Sequence, residues 1–132
     1  MKNIEEAKKA RIKAYTPYSH FKVGAAIELK DGTFIHGANI ENASFGLSNC
    51  AERSALFSLI SQGYDPKDIV SMTVIANDHG PVSPCGACRQ VMHELIPKTA
   101  KIYLANTKGE IKETNTDELL PYAFVLDEKP HE

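Results

Sequence analysis

The sequence predicts an α/β fold with three layers, α/β/α, around a mixed sheet of about five strands. Three observations carry this. Apolar residues recur at helical spacing in three segments, and alternate or run together in five shorter ones. The first two strand-like segments flank Lys30-Asp31-Gly32, a hairpin turn signal. The later strands alternate with helices, an order that pairs two of them in parallel and lays helices on the sheet.

Each element has its own reason. Ile4, Ala7, Ala10, Arg11 and Ala14 follow helical spacing, with Lys8, Lys9 and Lys13 around them, so 4–14 reads as an amphipathic helix that Pro17 ends. Phe21, Val23, Ala25, Ile27 and Leu29 alternate, which makes 21–29 a strand, and 33–40 returns as its hairpin partner. Residues 44–49 are small and loop-like. Ala55, Leu56, Leu59 and Ile60 mark a helix over 50–62, broken by Asp65-Pro66. Residues 70–76 form a buried-type strand rich in Val and Ile. A loop over 77–84 leads to a helix over 86–96, closed by Pro97. Strands follow over 101–105 and 110–113 around the turn Thr107-Lys108-Gly109, and 116–120 forms one helical turn.

The chain has 132 residues, 42% of them hydrophobic and 24% charged, so residues 1–132 are expected to form a single domain that buries a core without disulfides. A net charge of -2 gives no basic surface for nucleic acid. No apolar run approaches the roughly 20 residues of a membrane span. The N-terminal residues are rich in Lys and Glu and lack a signal core. Three cysteines, two in C-x-x-C, do not make a secreted disulfide framework. The expected location is the cytoplasm, with the thiols reduced or metal-bound.

The cysteines carry the chemistry. Cys50 precedes Ala51-Glu52-Arg53, and Cys85 and Cys88 lie in Pro84-Cys85-Gly86-Ala87-Cys88. Three thiolates hold a zinc ion and leave its fourth tetrahedral position open. Both motifs fall at helix beginnings, where unpaired N–H groups and the positive end of the dipole favour thiolate. Glu52 is close enough to move protons without being a ligand. Zinc with three thiolates is net negative, so a positive group must compensate. Arg53 is the candidate, donating hydrogen bonds to one or two sulfurs.

These motifs, extended by Arg89-Gln90, resemble those of the zinc-dependent cytidine deaminases in their three-cysteine form. The resemblance covers nearly the whole chain. Phe21-Lys22-Val23-Gly24-Ala25-Ala26 is similar to the family's N-terminal strand, Asn39-Ile40-Glu41-Asn42-Ala43-Ser44 to its nucleoside-binding strand end, and Leu119-Leu120-Pro121 with Phe124 to its C-terminal segment. It implies a cytidine deaminase-like fold and a small homotetramer, with active sites near subunit interfaces and one zinc per subunit. Cys50, Cys85 and Cys88 would be the ligands. Glu52 would be the proton carrier as zinc-activated water attacks C4 of cytosine in cytidine or 2'-deoxycytidine, releasing ammonia in pyrimidine salvage. Asn39 and Glu41 would bind ribose hydroxyls, the Ala51 amide the base carbonyl, and Phe21 the base itself. Phe124 would reach a neighbouring subunit's site. The family often has Gly where Tyr122 stands, and the larger residue is expected to redirect the chain after it. Tyrosine is frequent where Phe45 stands, so a polar contact is expected to be lost there.

Blander readings exist. Phe21 alone reads as a core strand residue, and Asn39 and Glu41 as strand-end turn residues. His20, His36, His79, His93 and His131 show no ligand spacing and are expected to be surface or packing residues. The competing functions are a deaminase of a nucleoside analogue such as blasticidin S, a structural zinc module, and a polynucleotide deaminase. The zinc module is short of a fourth ligand, and the polynucleotide deaminase is short of positive charge.

Overall fold

The computed structural model describes residues 1–126; His131 lies outside them. Its elements are α1 (Lys2–Arg11), β1 (Val23–Leu29), β2 (Phe34–Ala38), α2 (Ala51–Ser61), β3 (Ile69–Ala76), α3 (Gly86–Leu95), β4 (Lys101–Asn106), β5 (Ile111–Thr114) and α4 (Thr116–Leu119). The five strands form one sheet in the order β2-β1-β3-β4-β5. β1 is antiparallel to both β2 and β3, β3 and β4 are parallel, and β5 is antiparallel to β4. The mixed sheet is the one the pattern predicts.

Period-two alternation assigns the layers. Ala25 and Ile27 of β1, Met72 and Val74 of β3, and Ile102 and Leu104 of β4 pack in one cluster with Leu56 and Leu59 of α2 and Met92 of α3. Their neighbours Ala26, Ile75 and Ala105 face the other way and pack with Ala7 of α1. α1 therefore covers one face, and α2 and α3, joined by Leu119 of α4, cover the other. β3 is central and buried on both faces, which is why it reads as a nearly continuous apolar run. Polar contacts fasten α1: Asn3 Nδ2 donates to Ser71 Oγ at 2.8 Å, and Glu6 meets His36 at 2.9 Å.

Several boundaries move, for one physical reason. α1 stops at Arg11 rather than Ala14, because Tyr15 pairs its backbone with the chain after β2. The Tyr15 N–H donates to Asn39 O and the Glu41 N–H to Tyr15 O, both at 2.9 Å. Long-range pairing wins over the local helical spacing. β2 ends at Ala38 rather than Ile40, since Ile40 bridges to Tyr15 and Asn49. β1 starts at Val23 rather than Phe21, because the Asn39 side chain takes the ladder's place there. Its Oδ1 accepts from Val23 N, and its Nδ2 donates to Phe21 O, each at 2.8 Å. The loop after Ile40 contains one 3-10 turn, Phe45–Leu47. The hairpin turn is as expected, with Gly32 at φ +88, where a side chain would be strained.

Gly37 on β2 sets how near α2 lies to the sheet. A Cβ there would overlap the Ala51 carbonyl and the Ala55 backbone nitrogen. Gly37→Ala is expected to cost about 1–3 kcal/mol in urea unfolding, as overpacking does. Gly80→Ala, with open space around it, is expected to stay within about 0.5 kcal/mol of the parent.

Candidate active site

Cys50 is the N-cap of α2 and Cys85 the N-cap of α3. Cys88 lies in the first turn of α3 and is fully buried. Packing α2 against α3 brings the three sulfurs within 4.8 Å of one another. Cys50 Sγ and Cys85 Sγ are 3.9 Å apart. Tetrahedral zinc with Zn–S bonds of about 2.3 Å places its sulfurs about 3.8 Å apart, so the cluster fits one zinc ion. Among the described residues it is the single convergent group of three potential ligands.

The surroundings answer the charge problem. Cys88 N donates to Cys85 Sγ at 3.5 Å, a helix cap made by a thiol. Arg53 Nη2 donates to Cys50 Sγ at 3.4 Å, as the sequence predicts for one sulfur. Arg53 Nε is buried without a partner among the described residues. Hydrogen bonding from Cys88 and then Arg53 pulls the Cys50 thiol down to about 5, against the cost of burial. The same bond to Cys50, with burial, pushes the Cys88 thiol up. The pair thus favours thiolate at Cys50 over thiolate at Cys88, and a metal binding both sulfurs displaces whatever thiol proton remains. Arg53 is held more firmly protonated by its bond to Cys50.

Glu52 is 5% exposed. Burial first, and the charge of Cys50 after it, raise its carboxyl above the usual carboxylate range. A carboxyl so placed is suited to taking up and returning a proton.

A cavity of about 230 Å³ opens onto the sulfurs. Phe21, Val23 and Asn39 form one wall. Cys50, Ala51 and Glu52, at the start of α2, line it as well, as do Val82, Ser83 and Cys85. Phe21, Asn39, Ala51 and Glu52 thus converge with the cluster. Ala51 is the first residue of α2, so its N–H has no partner within the helix.

Two expected residues do not line this cavity. Glu41 is half-buried, and its carboxylate accepts from Tyr18 N at 3.0 Å, from Ser19 N at 3.1 Å and from the Ser19 hydroxyl. Those bonds hold its carboxyl below the usual range, Ser19 foremost. Phe124 is 70% exposed and lies beside His93, Glu94 and Lys98, away from its own chain's cavity. Tyr122 has φ +56, so the chain turns where the expected departure stands. His36 pairs with Glu6 and His93 with Asp117, and His20 and His79 are exposed, in keeping with packing and surface roles.

Sequence reasoning missed Ser19. Its Oγ accepts from Phe21 N at 3.0 Å while its hydroxyl donates to Glu41. Phe21 is therefore held at its N–H by Ser19 and at its carbonyl by Asn39. A serine accepting from the N–H two residues on is a local turn pattern, the one signal that was available. Val82 and Ser83 carried none.

Comparison with known proteins agrees with this geometry. Residues 1–105 match the family description "Cytidine and deoxycytidylate deaminase zinc-binding region". The chain belongs to the cytidine deaminase family. It is 56% identical over 125 residues to a cytidine deaminase of Halalkalibacterium halodurans, covering 95% of this chain and 93% of that one. The crystal structure of a cytidine deaminase from Burkholderia pseudomallei superposes with a TM-score of 0.90 at 54% identity, covering 93% of this chain and 97% of that one. A blasticidin-S deaminase of Bacillus cereus is 30% identical over 110 residues, covering 77% of this chain and 76% of that one. The fold is that of the family, and zinc is its cofactor.

Arg53→Ala is expected to weaken zinc retention about 10–100-fold in competition with a chelator, as loss of a ligand's hydrogen-bond partner does. Glu52→Gln is expected to stabilise the metal-free protein at pH 8 more than at pH 4. A raised carboxyl pKa lets the folded state hold the extra proton, so wild-type stability falls as pH rises above the ordinary carboxylate range. Thermal melts at the two pH values read this, and an equal gain at both would refute it.

Proposed function

We propose that residues 1–132 act as one catalytic domain, a zinc-dependent hydrolase that deaminates cytidine and 2'-deoxycytidine to uridine and 2'-deoxyuridine in pyrimidine salvage. The supporting observation is the buried Glu52 carboxyl, next to Cys50 of the three-sulfur cluster and lining one cavity with Phe21 and Asn39. Cys50, Cys85 and Cys88 would hold the zinc, which would supply a Lewis acid able to make water nucleophilic at neutral pH. Glu52 takes the attacking water's two protons in turn, passing the first to N3 of the base and the second to the departing amine. Attack falls on C4, and ammonia leaves. The Ala51 N–H binds the base carbonyl, and the Phe21 ring packs on the base. Arg53 keeps charge off the sulfurs.

Asn39 and Glu41 bind the ribose. Asn39 keeps one N–H and one lone pair beyond its bonds to Phe21 and Val23. Glu41 keeps acceptor capacity beyond its three donors. Phe124 is exposed and does not line its own site, which suits a role in the site of a neighbouring subunit of a homotetramer. The enzyme works in the cytoplasm.

Zinc-loaded protein is expected to convert both nucleosides, with blasticidin S turned over far more slowly in parallel. Glu52→Gln should keep its zinc and lose about 10²–10⁴-fold in kcat. Ser19→Ala should raise KM more than it lowers kcat, with Ser19→Thr restoring it. Zinc-loaded wild type that releases no ammonia from either nucleoside would sink the reading.

A further inference from the structure

The first turns of α3 carry more than sulfur. Arg89, directly after Cys88, makes three side-chain bonds to three places. Its Nε donates to Pro84 O at 2.8 Å, its Nη2 to Ser83 Oγ at 2.6 Å, and its Nη1 to Leu119 O at 2.8 Å. Gln90 Nε2 donates to Phe124 O at 3.0 Å. Ser83 and Pro84 are the residues leading into Cys85, and Ser83 lines the cavity. Leu119 closes α4, and Phe124 follows the turn at Tyr122. Consecutive side chains of one helix therefore hold the approach to the sulfur cluster and both ends of the stretch 119–124.

We propose that Arg89 and Gln90 are positioning residues that tie the C-terminal segment to the cysteine-bearing turn, so that the sulfur cluster and residues 119–124 order as one unit. The planar guanidinium suits this, since its donors diverge at fixed angles, whereas an ammonium is a single point of charge. Coupling of this kind is reciprocal: what steadies the turn steadies the segment, and the reverse. Zinc on the sulfurs then tightens residues 119–124, and an ordered segment slows zinc loss. That this places Phe124 for a neighbouring site rests on the proposed function; the coupling itself does not.

Hydrogen exchange on the full-length, zinc-loaded protein tests it. Arg89→Lys is expected to raise exchange in peptides covering 119–126 about tenfold, as loss of one or two ordering hydrogen bonds does. It is also expected to speed zinc release to a chelator about tenfold, while peptides from β3 and β4 keep their protection. Gln90→Ala should loosen 122–126 with zinc release little changed, and it decides the matter if Arg89→Lys does not fold. Stripping zinc from wild type should loosen the same segment. Unchanged exchange over 119–126 in Gln90→Ala and in stripped wild type would overturn the coupling. Deaminase turnover is read separately: its absence in wild type defeats the functional reading and leaves the exchange result standing.

Discussion

Three sulfurs within 4.8 Å of one another are a concentration of negative charge that the fold must tolerate. It does so by placing all three at the starts of two helices, where backbone N–H groups and the helix dipole offset charge without another cation. Arg53 adds the one guanidinium bond, on Cys50. The closeness of the Cys50 and Cys88 sulfurs then lowers the first thiol and raises the second. Glu52 is in turn affected by this arrangement. It begins a helix, where carboxylate is normally favoured, yet burial and the nearby thiolate outweigh the dipole and hold its proton more tightly.

The sheet supplies the rigidity this needs. α2 and α3 lie on the same face, and their relative position depends on how closely α2 can approach β2. Gly37 permits that approach because the Ala51 carbonyl sits where a side chain would be. A glycine on an edge strand therefore governs the separation of two sulfurs that belong to different helices. The opposite wall depends on β1, whose entry is fastened by the Asn39 side chain rather than by a ladder. The parts of the cavity lined by Phe21 and by the start of α2 are thus referred to the β1–β2 pair, while Val82, Ser83 and Cys85 are held from α3 and β4.

The sequence makes the metal cluster legible because its information is local. Cys85 and Cys88 share one helical turn, and Cys50 begins another, so spacing and chemistry agree. The strand and helix order is legible for the same reason, since β3 and α2 declare themselves by apolar pattern. What could not be read are side chains that bond backbone far away. Asn39 reaches 16 and 18 residues back, and Arg89 reaches 30 forward. Such bonds leave no periodic trace. The end of α1 was misplaced because Tyr15 answers to Asn39 and Glu41 and not to its own helix. Phe124 could be assigned a role only through family resemblance, and its place on the surface shows why: its own cavity does not contain it.

The cluster also has a redox side. A thiolate that persists at neutral pH is a nucleophile toward oxidants, and Cys50 is held as one. Its sulfur lies 3.9 Å from that of Cys85, about 2 Å from bonding distance. With the metal lost, a two-electron oxidant that joined this pair would remove two of the three sulfurs from service. Zinc is then a protecting group as well as a cofactor. A protein whose metal site is built from thiolates ties its resistance to oxidation to its metal supply, and its shelf life in air becomes a measure of how seldom the ion leaves.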